Sequence, residues 1–276
     1  MKIKTKLIAY DLDGTLLTSK KELTGYTKAV LEEAAKRGIF IMPATGRPVT
    51  GIPKDVLGVK GTRYAVTANG GRVVDVEMNN TLYENLLPRE TGKKILKIFS
   101  EYDTLKEIYF QGIGYANASE LTDIEHYLGD PHMANYVLNT RTPVDDVWKV
   151  FEKETGDMDK VHGIMAYPEE ISEIKERLLE IPDIEITGAL GINLEVNAKG
   201  VTKGNALLKL AELLSIEREE IMAFGDASND YSMLELAGTG VAMANADETA
   251  KALADYITLS HDEDGVARFI EEYVLN

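Results

Sequence analysis

The sequence predicts an α/β fold: a doubly wound, mostly parallel sheet interrupted by a second, α+β segment. Three observations predict it. Short apolar runs without helical period lie at residues 7–10, 39–42, 64–68, 221–224 and 240–246, the pattern of strands buried on both faces. Amphipathic stretches separate them, so strand, helix and strand follow one another as in a βαβ unit. Between about residues 83 and 189 the pattern shifts to alternating strands mixed with short helices, as in a small α+β domain.

The first run ends in Asp11-Leu-Asp-Gly-Thr15. Side chains alternate along an extended chain, so Asp11 and Asp13 face one pocket while Leu12 turns into the packing. Gly14 lets the backbone turn sharply and approach a ligand. Two like charges this close are costly unless a cation or proton separates them, and open α/β sheets bind ligands at the carboxyl ends of their strands. The plain alternative is an Asp-rich turn. Residues 24–36 follow as a helix, with Thr24 as N-cap, Tyr26, Val30 and Ala34 on one face, and Gly38 as its stop. The second strand runs into Pro43-Ala-Thr-Gly-Arg-Pro48. Here the Thr45 hydroxyl and the Gly46 N–H make a compact anion site, and Arg47 can pair with a phosphate; a helix N-cap at Thr45 is the alternative. The third strand ends at Asn69-Gly70-Gly71, ahead of a small hairpin over residues 72–84, so Asn69 is either a turn residue or part of the site.

In the middle segment, helices are expected at 90–101, 145–153 and 172–179, and strands at 107–110, 135–138, 161–167 and 184–187. Residues 111–119 and 129–135 read as polar loops. His126, His132 and His162 lack ligand spacing and receive no role. Residues 192–196 are expected to lead back to the first domain. A helix then opens at Val201-Thr-Lys-Gly-Asn205, where the Lys203 ammonium and the helix N-terminus favour anions. The strand at 221–224 delivers a second acidic cluster, Gly225-Asp-Ala-Ser-Asn-Asp230. Hard Mg²⁺ takes oxygen ligands, and Asp11 and Asp226 can supply carboxylates. The loop lacks the pattern of an EF-hand Ca²⁺ site. Residues 247–254, 256–258 and 265–274 close the core as helix, strand and helix.

Composition narrows the partners. The chain has 276 residues, an apolar fraction of 44% and no cysteine, so neither a disulfide framework nor a thiol nucleophile is available. The net charge of −16 disfavours nucleic acid and anionic membranes. Residues 84–185 hold 22 acidic and 11 basic side chains, against 24 and 19 in the remainder, so the middle is the acidic part. No apolar stretch is long enough to span a membrane, and the basic start is followed by too short an apolar run for a signal peptide. The expectation is a cytoplasmic protein with no obligate protein partner.

Four stretches, Asp11-Leu-Asp-Gly-Thr-Leu-Leu17, Thr45-Gly-Arg47, Val201-Thr-Lys-Gly204 and Gly225-Asp-Ala-Ser-Asn-Asp230, together resemble the motifs of the haloacid dehalogenase (HAD) superfamily of phosphohydrolases. The layout resembles its Cof-like subfamily with a type IIB cap, and Asp262-Glu-Asp-Gly-Val-Ala267 is similar to Cof-like C-termini. Ala244 departs from the Gly usual there. The resemblance spans nearly the whole chain. It implies a Rossmann-like catalytic core of residues 1–82 and 190–276, and a substrate-specificity cap of residues 83–189. It implies that Asp11 is a nucleophile forming an aspartyl-phosphate and that Asp13 is a general acid/base. Asp13 distinguishes the chain from the family's ATPases, which carry Thr there, and from its dehalogenases, which lack this Asp. The implied phosphate-binding residues are Gly14, Thr45, Gly46, Arg47, Asn69, Lys203 and Asn229. The implied Mg²⁺ group is Asp11, Asp13 through its backbone carbonyl, Asp226 and Asp230. The implied activity is hydrolysis of a small phosphorylated metabolite, with sugar phosphates the leading class. A phosphomutase of the phosphomannomutase type and a non-catalytic phosphosugar sensor are the alternatives.

Overall fold

The computed structural model describes residues 2–188 and 191–276. They form two compact units, one comprising the residues up to 84 together with 202–276, the other residues 85–201.

The first unit is built on a five-stranded parallel sheet. Its order is Tyr256–Ile257, Thr239–Ala242, Ile221–Gly225, Leu7–Tyr10 and Phe40–Pro43. The first strand is fully buried because alternate residues feed two different cores. Ile8 and Tyr10 pack with Leu31 and Ala34 of the helix Gly25–Lys36 and with Val266 and Ile270 of the helix Gly265–Ile270. Leu7 and Ala9 pack instead with Leu207 and Leu210 of the helix Lys203–Leu214. Helices on both faces make the sheet doubly wound, which is why its strands read as unbroken apolar runs. The expected third strand, Tyr64–Thr67, belongs to a separate three-stranded antiparallel sheet with Arg72–Asp75 and Asn80–Glu84. Single parallel bridges, Ile41 to Thr62 and Ala44 to Val66, tie its start to the second core strand. The predicted hairpin is present in that small sheet.

The second unit is a six-stranded, mostly antiparallel sheet in the order Ile184–Thr187, Asn193–Ala198, Lys160–Met165, Thr104–Phe110, Ile113–Asn117 and Thr142–Val144. One face packs Ile108, Phe110, Val161 and Val196 against Ile95, Phe99, Ile174 and Leu178 of two helices. The opposite face carries a smaller apolar cluster and a buried polar one. In the polar cluster Glu107 accepts from Arg141 Nε at 2.8 Å and pairs with His162 Nδ1 at 2.7 Å. Burial alone would raise the Glu107 carboxyl, but Arg141 and His162 outweigh it and hold it well below the usual range.

Three expectations are corrected. Residues 193–198 do not return to the core sheet: Asn193–Ala198 pairs on both sides inside the second unit. Its alternation of Leu194, Val196 and Ala198 with Asn193, Glu195 and Asn197 is that of a sheet with two unlike faces. The expected boundaries at 82/83 and 189/190 therefore compare with breaks at 84/85 and 201/202; Ala189 and Leu190 lie outside the described residues. The expected strand at 135–138 is part of the helix Pro131–Thr140, set by Asp130 as N-cap and Pro131 in the first turn. The expected loop at 111–119 contains the strand Ile113–Asn117. Among the described residues no helix is long and apolar enough to cross a membrane.

Candidate active site

Two neighbouring strands of the core sheet, Leu7–Tyr10 and Ile221–Gly225, run in parallel register and end at the same edge. Asp11 and Asp226 stand just beyond those ends. The amide of Asp11 donates to the Phe224 carbonyl at 3.0 Å, which extends the ladder to the carboxylate itself. The turn after Asp11 brings Gly14 against Asp226: Gly14 has φ +82°, and a Cβ there would lie 2.3 Å from Asp226 Oδ2. Only glycine meets both demands. Thr15 Oγ1 then donates to Asp226 Oδ1 at 2.8 Å, and Asn245 Nδ2 holds the Gly14 carbonyl at 2.8 Å.

Lys203 is fully buried at the start of its helix, which Thr202 caps through the Asn205 amide. Its Nζ donates to Asp11 Oδ1 at 2.6 Å and to Asp230 Oδ1 at 2.7 Å. Asp230, also fully buried, uses Oδ2 to accept from the amides of Asp226 at 2.9 Å and Ala227 at 3.1 Å. One residue therefore fixes both the lysine and the backbone of the second acidic loop. Burial would lower the Lys203 ammonium, but the two carboxylates outweigh it and keep it charged.

Asp11, Asp226 and Asp230 bring carboxylate oxygens within 4.8 Å of one another. Lys203 offsets only part of that charge. Burial, with the neighbouring carboxylates adding to it, pushes Asp11 up to about 7 and Asp226 up to about 8. A set of hard oxygen donors whose charge is under-compensated suits a divalent cation such as Mg²⁺.

Asp13 is placed apart from this trio. Its carboxylate accepts from Arg47 Nε at 2.9 Å and Nη2 at 2.7 Å, and from Lys21 Nζ at 2.8 Å. Burial would raise its carboxyl; the two cations more than offset this and hold it low. Arg47, read from sequence as a phosphate partner, thus spends two donors on Asp13 and a third on the Gly51 carbonyl at 3.0 Å. Thr45 is buried beside it, its Oγ1 accepting from the Arg47 amide at 3.1 Å. Asn69 sits at φ 58°, its amide bonded to the Thr45 carbonyl and its Oδ1 accepting from Asn229 Nδ2 at 3.3 Å. A Cβ at Gly46 would fall 2.7 Å from that same oxygen. Thr45, Gly46, Asn69 and Asn229 are therefore one connected group.

A sequence model of the haloacid dehalogenase-like hydrolases matches residues 8–270. The chain belongs to this family. It is 32% identical to a 5-amino-6-(5-phospho-D-ribitylamino)uracil phosphatase of Bacillus subtilis, YcsE, over 99% of this chain and 97% of that protein. It is 31% identical to the B. subtilis phosphatase YwpJ, over 96% and 99%. Among solved structures, a haloacid dehalogenase-like hydrolase from B. subtilis superposes with a TM-score of 0.86 at 29% identity, covering 98% and 100%. The HAD subclass IIB sugar phosphatase BT4131 superposes at 0.82 with 26% identity, covering 98% and 99%. This HAD-like chain is accordingly a phosphoric monoester hydrolase with a mostly parallel α/β core and a separate antiparallel-sheet cap.

Sequence reading missed Thr15, Lys21 and Asn245. Thr15 stood inside the first motif, where its hydroxyl could have been asked for a partner. Asn245 had the signal of a polar residue in an otherwise small and apolar stretch, Ala242-Met-Ala-Asn-Ala246. Lys21 had none, being one of two adjacent lysines in a polar turn.

Proposed function

We propose that this HAD-like hydrolase is a Mg²⁺-dependent phosphatase acting on a small phosphorylated metabolite, a sugar or polyol phosphate, through an aspartyl-phosphate on Asp11. The observation that carries the reading is the buried Lys203 bridging Asp11 and Asp230, with Asp226 alongside. A carboxylate held by one fixed ammonium at the mouth of a parallel sheet is oriented for attack and partly relieved of charge. Asp11 attacks phosphorus as the leaving oxygen departs. Asp13, held as a carboxylate by Arg47 and Lys21 in the free protein, takes up the proton of the phosphate monoanion as the ester binds and gives it to that oxygen, then takes one from the water that hydrolyses the acyl phosphate. Thr45, Gly46 and Lys203 donate to the equatorial oxygens. Asn69 and Asn229 hold the second-motif loop in place. Asp11, Asp226 and the carbonyl of Asp13 would hold Mg²⁺, with Asp230 behind them positioning the loop and the lysine. When bound, the ion would neutralise the carboxylates and the phosphate so that like charges can approach.

The substrate class rests on the relatives, whose names include a ribitylaminouracil phosphate phosphatase and a sugar phosphatase. A net charge of −16 fits a free small molecule met in the cytoplasm better than nucleic acid or an anionic membrane.

The test is phosphate release from a panel of phosphorylated sugars, polyols and p-nitrophenyl phosphate, with Mg²⁺ and with excess EDTA. Activity is expected only with Mg²⁺ and is expected to return when Mg²⁺ is added in excess of the chelator. Full turnover in chelator contradicts the metal assignment. Release confined to p-nitrophenyl phosphate contradicts the substrate class.

A further inference from the structure

The tip of the turn after the first motif is built in an unexpected way. Thr18 N donates to the Glu22 carbonyl at 3.0 Å and Lys21 N to the Thr18 carbonyl at 2.8 Å, closing a tight turn with three residues between Thr18 and Glu22. The last position of such a turn is left-handed and favours glycine. Here it is Lys21, at φ 62°. A left-handed lysine is a local misfit, and such misfits persist where the surroundings enforce them.

Those surroundings are the Asp262-Glu-Asp264 stretch, to which the reaction assigns nothing. Asp262 Oδ1 accepts from the Ser19 amide at 2.8 Å. Asp264 Oδ1 accepts from the Thr24 and Thr27 hydroxyls, the latter at 2.9 Å. The turn is thus bolted at its tip and at its exit. The ammonium it carries reaches back eight residues to Asp13 Oδ1 at 2.8 Å. Arg47 grips the same carboxylate in a two-point contact. A third of the Asp13 side chain stays exposed, so substrate and water still reach it.

We propose that Lys21 is a positioning residue for Asp13. Together with Arg47 it fixes the plane of the carboxylate that protonates the leaving oxygen and then accepts a proton from water. The inference rests on the assignment of Asp13 as general acid/base. Arg47 alone pins the carboxylate through one guanidinium plane; Lys21 supplies the contact outside the guanidinium that stops it from swinging.

The test uses the full chain with Mg²⁺ and two esters, p-nitrophenyl phosphate and phenyl phosphate, which differ in their need for an acid. Lys21→Gly removes the ammonium while suiting the left-handed backbone, so its melting temperature is expected to be no lower than that of the parent. kcat/KM on phenyl phosphate is expected to fall by about tenfold, a fraction of what general acid catalysis contributes. On p-nitrophenyl phosphate kcat/KM is expected to stay within about twofold, because a good leaving group needs little acid. kcat on p-nitrophenyl phosphate is nevertheless expected to fall together with KM, since water activation becomes slow. Lys21→Arg is expected to recover most of the loss. An equal loss of kcat/KM on both esters overturns the proposal, because it makes Lys21 a substrate contact or a purely structural residue. Unchanged kinetics in Lys21→Gly also overturns it. If Asp13→Asn keeps parental activity, the assignment of Asp13 itself has failed, which is a separate result.

Discussion

Asp11→Asn is expected to lose at least about 10⁴-fold in kcat, the scale on which enzymes lose turnover when a covalent nucleophile is removed. The amide cannot displace the leaving group, although it preserves the size of the side chain and leaves an oxygen to accept from Lys203, 2.6 Å away in the parent. Asp13→Asn is expected to behave differently. Asp13 lies outside the carboxylate trio and is held by Arg47 and Lys21. With p-nitrophenyl phosphate the first step should continue, because the leaving group needs no proton. The second should slow by roughly 10² to 10⁴, the usual contribution of a general base. A burst of p-nitrophenol close to one per active site, followed by slow turnover, is the expected stopped-flow trace. An Asp11→Asn burst of similar size contradicts the assigned roles.

The second large effect concerns stability. Lys203 is wholly buried between Asp11 and Asp230. Lys203→Met keeps the aliphatic volume but leaves two carboxylates without their cation. Removing one partner of a buried pair costs about 3–5 kcal/mol. For a unit of this size that lowers the melting temperature by roughly 10 °C. Asp230→Asn added to Lys203→Met removes one of the orphaned charges and keeps an oxygen for the amides of Asp226 and Ala227. The double variant is expected to regain about half of the loss while remaining inactive. Thermal unfolding in excess chelator makes the comparison without a metal's contribution. A single variant that melts with the parent contradicts the electrostatic account.

Much of the candidate site was legible because its residues are set by backbone position. Asp11 and Asp226 follow apolar runs, and strand ends on a parallel sheet share an edge. Lys203 follows a capping Thr at a helix start. Gly14 was readable as a turn, although its tight approach to Asp226 needed coordinates. The contact of Arg47 with Asp13 was not readable, because an arginine near a phosphate motif has two acceptors to choose from, and only the fold shows that Asp13 lies within reach. Lys21 was invisible because its role depends on one left-handed backbone angle and on contacts with residues more than 200 positions away. The strand Asn193–Ala198 was placed in the wrong unit because a strand's partners are tertiary facts; its alternation was the available clue. The helix Pro131–Thr140 was split between loop and strand because Gly129-Asp-Pro131 carries turn residues and Tyr136-Val-Leu138 is a short apolar run, while the Met133, Ala134, Val137 spacing that marks the helix spans both.

The central claim is that phosphate passes through Asp11. The most direct measurement is acid quenching of Asp13→Asn during turnover of p-nitrophenyl phosphate, followed by peptide mass spectrometry under acidic conditions. The account predicts a phosphoryl group on the peptide carrying Asp11, lost on treatment with hydroxylamine as an acyl phosphate should be, and absent from Asp11→Asn. A phosphoryl group on any other residue, or steady turnover by Asp11→Asn with no trapped species, would contradict it.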